Sequence, residues 1–311
     1  MSQIVLPLTI KRQILTSLQK HSSESFFELR KAKVGIFPLM LTLSHFISKT
    51  GSPTTTQFQL NFNQIIAHLS IKDLLHGKIV FPLIEINNLQ TNITEGDLSF
   101  HSSNKIDRGK ILRSAIAHLR QVKIMDSGII YHRVHSNQYA TLHVNKITGI
   151  IEIKDKDIHS TVHGILEKSG SFEVNFLMPR TFSNLNLDIN LKLSNQNLKD
   201  LNPYFAPAEG IHLSGTLHRG ESVLKVRDDH LSGWVKAKYL NLNIDFKKTK
   251  NRSAASAFFK NLLKSIKIKE NNIGILKKEQ TRSVALTRFP EEAPLHFIFR
   301  GMSKAALQIP F

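Results

Sequence analysis

The sequence predicts a mainly β protein: one elongated, curved antiparallel sheet, a groove or half-pipe, with a few short helices. Three observations carry this. First, SNLNLDINLKLS (183–194) alternates strictly, with Leu185, Leu187, Ile189, Leu191 and Leu193 on one side and Asn184, Asn186, Asp188, Asn190 and Lys192 on the other. Such alternation gives a strand one apolar and one wet face. Second, strand patterning is nearly continuous from 139 to 246. Third, HLSGTL (212–217) returns as HLSGWV (230–235), an amphipathic scrap with glycine at its middle. Glycine inside a strand marks a bend or close approach, and curved sheets use such positions.

Residues 7–21 predict an N-terminal helix, with Pro7 at its start and Ile10, Ile14, Leu15 and Leu18 on one face. From Phe26 the period becomes two. Strands are expected at 27–37, at 39–47 with Leu39, Leu41, Leu43, His45 and Ile47 on one side, and at 57–62. Ser70, Asp73 and Gly77 frame a small helix. A strand resumes at 78–86, with Pro82 suggesting an edge or bulge, and 91–109 read as loop. KILRSAIAHL (110–119) has helical spacing. Asp126-Ser127-Gly128 reads as the turn of a hairpin between QVKIM and IIYHRV.

The following meander divides into YATLHVN, ITGIIEIK, IHSTVHGIL, SFEVNFL, the 183–194 strand, GIHLSGTLHR, SVLKVRD and a last long strand from His230 to Phe246. Turns are expected at EKSG, RGE and RDD. With those turns, the two HLSG strands run parallel to each other, and Gly215 and Gly233 share a row where the sheet creases. Residues 251–270 predict an amphipathic helix, and strands follow at 275–280, 283–289 and 295–300. The segments expected are 1–25 (helix), 26–117 (β-rich), 118–246 (antiparallel meander) and 247–311 (basic helix and terminal strands).

The chain carries 42 Lys/Arg against 24 Asp/Glu, a net charge of +18, which draws it to anionic surfaces. Basic residues are not interleaved with aromatics over most of the chain, as single-strand nucleic-acid binders require, so nucleic acid is not an expected partner. With no cysteine, thiolate metal sites, disulfides and thiol nucleophiles are excluded. The most apolar stretch, 34–47, is shorter than a membrane span and contains Pro38, Ser44 and His45. The N-terminus does not read as a signal peptide.

Motifs for hydrolase, nucleotide or zinc chemistry are missing: there is no GxSxG, GxGxxG after a strand, P-loop or HExxH. Adjacent Asp228-Asp229 and Glu291-Glu292 read as turn and loop residues. His159 and His163 share a strand face but lack a third ligand at useful spacing. The expectation is a protein that is not an enzyme and holds no metal or cofactor. Between Lys247 and Arg282, eleven Lys/Arg face two Glu. The 251–270 helix therefore has two readings. Phe258 and Phe259 insert at an anionic membrane surface while Lys260, Lys264 and Lys267 meet headgroups, or the aromatic face packs on the sheet and the lysines are solvated.

A one-faced sheet that curls into a trough leaves apolar area for a ligand, and acyl chains are its natural filler. The candidate groove residues are Leu185, Leu187, Ile189, Leu191, Leu193, Leu213, Leu217, Val235, Leu240, Leu242 and Ile244. The series LRQVKIMDSGIIYH, NKITGIIEI and NLNLDINLKLSNQNLKDLNPYFAPAEGIHLSGTL…HLSGWVKAKYLNLNIDF resembles the AsmA-like proteins of Gram-negative envelopes, in their branch with an uncharacterised C-terminal domain. IIAHLSIKDLLHGKIVFPLIEI is similar to that family's strand–short helix–strand. The resemblance is firmest over 118–246 and rests on patterning; no family catalytic residue is there to carry over. It implies a periplasmic protein associated with the inner membrane. It also implies a hydrophobic β-groove, phospholipid or another acyl lipid as cargo, and envelope protein partners. The chain departs from the family in lacking a recognisable N-terminal anchor. A structural or adaptor β-protein without lipid cargo is the alternative.

Overall fold

A computed structural model describes residues 3–5, 16, 25–51, 57–95, 118–135, 138–180, 186–246, 280–288, 297–298 and 301. The expected helices at 7–21 (apart from Thr16, which is helical) and 251–270 lie outside the described residues, as do 110–117 and the strand at 275–280 except Gln280. His118 and Leu119, the described end of the expected 110–119 helix, form a turn and a bridge to Phe81.

Thirteen strands form one open, curved sheet in chain order. They are β1 (Gln3–Val5), β2 (Ser25–Gly35), β3 (Met40–Thr50), β4 (Gln57–His68), β5 (Leu83–Glu95), β6 (Gln121–His135), β7 (Gln138–Ile153), β8 (Asp157–Leu166), β9 (Gly170–Pro179), β10 (Leu187–Asn197), β11 (Ile211–Arg227), β12 (His230–Phe246) and β13 (Gln280–Thr287). At about 4.8 Å between strands the sheet extends roughly 58 Å across. Every pair is antiparallel except β5 and β6, which run parallel, so the sheet is mixed. A parallel pair needs a crossover back to the starting end, and it falls between Glu95 and Gln121.

Two short helices are described. In α1 (Ile71–Leu75) the Ser70 hydroxyl accepts from the Asp73 N–H at 3.2 Å, and Gly77 follows at φ 72°, as the spacing predicts. A 3-10 turn (Leu198–Leu201) and α2 (Asn202–Glu209) connect β10 to β11. Phe297 and Ile298 are helical, not part of a strand at 295–300.

Most departures from the expected strand pattern share one cause. Six non-glycine strand residues have left-handed backbone: His45, Asn88, Asp126, Lys146, Asn195 and Asn241, with φ between 46° and 56°. This conformation is uncommon outside glycine and is reached most easily by Asn, Asp and His. At each, the face that points inward changes parity. Leu41 and Leu43 are followed on the apolar face by Phe46, not by His45 and Ile47. Ile84 and Ile86 are followed by Leu89, and Ile151 and Ile147 by Val144. His45 lies opposite Asn63, which lies opposite Asn88, so the switch crosses neighbouring strands in register. Asp126 is level with Asn88 across the parallel pair.

These switches resemble turns when the sequence is read alone. Asp126-Ser127-Gly128 is not a hairpin but a bulge within β6, where the register to β7 shifts on either side of Ser127. Lys146 does not separate two strands; β7 runs through it, with a shift against β8 between Asn145 and Thr148. RGE (219–221) is likewise inside β11, beside a shift between Leu217 and Arg219. The HLSG strands are therefore antiparallel neighbours. Gly233 lies opposite Leu224, whereas Gly215 sits near Leu240 and Asn241, so the glycines do not form a row. Each still has its own steric reason. A Cβ at Gly233 would stand 2.0 Å from the Val223 carbonyl oxygen, and one at Gly215, where φ is 99°, 2.3 Å from that of Asn241. Before Pro82 only Phe81 is paired, by a bridge to Leu119, and β5 starts after the proline and continues to Glu95, into the stretch expected to be loop.

Candidate functional site: the apolar face of the sheet

The parity switches keep one face apolar over the whole sheet, and the face divides into a covered and an open part. The covered part spans β10–β13. Ile189, Leu224, Val226, Leu231, Val235, Tyr239, Leu242, Ile244 and Val284 form one buried cluster with Leu198 and Leu201 of the 3-10 turn and with Phe297 and Ile298. Leu187, Leu213 and Leu217 pack against it half-buried. Leu191 and Leu193 are half-buried in the same rows, opposite Ser222 and Gly220. Leu185 lies outside the described residues, as do Phe258, Phe259, Lys260, Lys264 and Lys267.

Leu240 is a correction. It is 43% exposed and points to the outer face. The left-handed Asn241 changes parity between buried Tyr239 and buried Leu242, and Leu240 falls on the wrong side of that switch.

The cover is built from the connection LKDLNPYFAPAEG. Asn197 caps its start by accepting from the Lys199 N–H at 3.1 Å. Pro203 occupies the first turn of α2, and left-handed Gly210 (φ 66°) ends it. Leu198 and Leu201 enter the main cluster, while Tyr204 reaches β6 and β7, packing with Ala140, Tyr131 and Leu142. The Tyr131 and Tyr204 rings are 5.9 Å apart. Asn202 secures the segment: its side chain accepts from the Leu213 N–H at 2.7 Å and donates to the Leu213 carbonyl at 3.0 Å. It thus takes the place of a strand backbone beside β11, beyond the end of β10. These covering residues were missed as site residues. The signal was present: Pro at a helix start, Gly after its end, and apolar residues at 198, 201 and 205.

The open part spans β2–β5. Pairing places Leu29, Phe46, Phe62 and Leu89 in one row and Ala32, Leu43, Ile65 and Ile86 in the next, continuing to Ile124 of β6. Phe27 stacks on Phe46 at 6.1 Å, and Phe46 meets Phe62 at 5.8 Å. Of the large apolar side chains on these four strands, Leu29 alone is fully buried. Phe46, Phe62, Leu43, Ile65, Ile86 and Leu89 are half-buried, as Leu187, Leu191 and Leu193 are in the covered part, and Phe58 is exposed. Neither buried cluster found among the described residues includes a residue of β2–β5.

The outer face is polar and carries ion pairs, among them Arg227–Asp188 at 2.5 Å, Arg219–Glu221 and Lys192–Glu173 at 3.2 Å. Hydrogen bonds from Asn175 and Lys192 hold the Glu173 carboxyl below its usual range. On β6, burial and then the neighbouring His143 push the His132 imidazole down, and its Nδ1 lies 3.0 Å from the Thr141 hydroxyl. His163 faces Glu173 at 4.0 Å. Among the described residues no three His, Asp or Glu side chains converge as metal ligands, and no helix is long and apolar enough to cross a membrane. No protein-family model matches the chain, and no curated protein matches it.

Proposed function

We propose that this chain is an AsmA-like envelope protein that is not an enzyme and holds the acyl chains of phospholipid or a similar lipid. In this reading it resides in the periplasm, associated with the inner membrane. The carrying observation is the half-buried apolar field of β2–β5, whose stacked Phe27, Phe46 and Phe62 join neither buried cluster among the described residues. Apolar surface of this kind on a soluble face marks a binding site or an interface. The groove assignment therefore moves from the 185–244 leucines, which are largely the protein's own core, to β2–β5.

Lipid extracted from the purified protein and identified by mass spectrometry tests the reading. Phospholipid is expected with the wild type and strongly reduced with Phe46→Ser/Phe62→Ser, while the circular dichroism spectrum stays that of the folded sheet. A protein that purifies free of lipid from membranes, and takes up none from vesicles, would sink it. The second reading, a structural or adaptor protein, is favoured by the self-covered β10–β13 half. It expects Phe46→Ser/Phe62→Ser to unfold the protein, and no lipid to be recovered.

A further inference from the structure

The β2–β3 turn and the β4–β5 connection meet at one end of the open half. The Leu69 N–H donates to the Leu39 carbonyl at 3.0 Å, and Met40 pairs with His68. Here α1 has no buried residue at all. It is held by polar contacts: the Ser70 cap, the Lys78 N–H to the Asp73 carbonyl at 2.9 Å, and Asp73 to Arg120 at 3.6 Å. Its apolar side chains are thus not used for folding. Ile36, Phe37, Ile71, Leu74, Leu75 and Ile79 all stand exposed on this end, Phe37 at 78% and Leu75 at 82%.

The charge around them is mainly basic, the nearby carboxylates being Asp73 and Glu85, of which Glu85 lies level with Lys123 and 3.5 Å from His68. Lys72 and Lys78 are exposed and have no carboxylate partner among the described residues, and Arg120 and Lys123 lie on the adjoining strand start. The nearby Asp73 is already opposed by Arg120. Aromatic and aliphatic tips ringed by lysine fit the boundary of an anionic bilayer, where rings and leucines enter the acyl region and ammonium groups meet phosphates. A protein partner of ordinary composition would not ask for exposed cations around the patch, and a second copy would bring the same cations against them.

We propose that this end, the Ile36–Phe37 turn together with α1, docks the protein on an anionic lipid bilayer and presents the open trough of β2–β5 to the membrane. The proposal extends the lipid reading, but its failure is separately visible. A lipid-free protein that docks sinks only the cargo, and a lipid-loaded protein that does not dock sinks only the docking end.

The test is flotation of the full chain with vesicles of phosphatidylglycerol and phosphatidylcholine, compared with phosphatidylcholine alone. Wild type is expected to bind the anionic vesicles at least tenfold more tightly. Both Phe37→Ser/Leu75→Ser and Lys72→Glu/Lys78→Glu are expected to lose at least tenfold. Leu240→Ser, an exposed leucine on the outer face, is expected to change binding less than twofold. Because the chain has no cysteine, Leu75→Cys accepts an environment-sensitive thiol dye at that site alone. Its emission should shift to the blue with anionic vesicles, whereas the same dye on Leu240→Cys should not respond. Undiminished binding by both double variants, equal binding to neutral vesicles, or an unresponsive dye at position 75 overturns the proposal. So does self-association abolished by Phe37→Ser/Leu75→Ser without vesicle binding, which would assign the tip to a second copy.

Discussion

Strands β2–β5 and strands β10–β12 are built from the same pattern, and each passes through left-handed residues that change the inward parity. Their apolar faces nevertheless have different fates. Over β10–β12, Leu198, Leu201, Phe297 and Ile298 descend onto the face, and Leu224, Val226 and Leu231 are essentially excluded from solvent. Over β2–β5, rows of equal apolarity stay half-buried apart from Leu29 and Ala32 and join neither buried cluster among the described residues. Full burial of a Leu or Phe side chain stabilises by roughly 1.5–3 kcal/mol, so the covered half carries stability that the open half forgoes. The difference teaches that alternation specifies a face but not its occupant. In one half the occupant is the protein's own connection; in the other we assign it to lipid.

Substitutions can break this comparison. The largest effect is expected from Leu224→Ala, at the centre of the covered cluster. A cavity there should cost about 2–5 kcal/mol in urea unfolding, and a loss under about 1 kcal/mol would mean the cover is loosely packed. Next is Asn202→Ala, which removes both hydrogen bonds to Leu213 and leaves a backbone donor and acceptor beside the cover. A loss of about 1–3 kcal/mol is expected, with faster hydrogen exchange across 198–213. Phe62→Ser in the open half should cost less than either, on the order of 1 kcal/mol, because part of the ring stays in water and it joins no buried cluster among the described residues. If it matches Leu224→Ala, the two halves are equally sealed and the distinction fails.

The smallest effect concerns pH. Burial holds the folded pKa of His132 below its ordinary value of 6.5. The unfolded chain therefore takes up the proton first. Stability from the neutral imidazole is present above about pH 6.5 and is lost as pH falls toward the lowered folded value. The unfolding midpoint of wild type should drop between pH 7 and 5, and His132→Asn should drop less. Parallel curves would assign the acid sensitivity to other groups.

Much of the architecture was legible in the residues. The Ser70-to-Gly77 frame of α1, the EKSG and RDD turns, and the β10 and β12 strands follow from local chemistry, and the structure has them. The errors at Asp126 and Lys146 were of one kind, a broken alternation read as the end of a strand, while 219–221 was read as a turn where the ladder only shifts register beside it. A left-handed residue breaks alternation just as a turn does, while the chain continues in the same direction. Only the partner strand, pairing on both sides of the break, distinguishes the two. Leu240 failed for the same reason, since its side is decided by Asn241. The exposed apolar end at Ile36–Phe37 and α1 was missed because apolar residues in a five-residue helix look like core when their surroundings are unknown.

By itself, the sequence determined that this chain makes a one-faced sheet of many strands, because side-chain period and turn chemistry act over a few residues. Tertiary structure alone decided three things: that β5 and β6 run parallel, that the breaks are bulges across a continuous sheet, and that the 198–209 connection lies over half of the apolar face. Each depends on contacts between residues far apart in the chain. Whether a leucine such as Leu231 becomes core or one such as Leu43 stays half-buried depends on what another segment places above it, and local pattern carries no record of that.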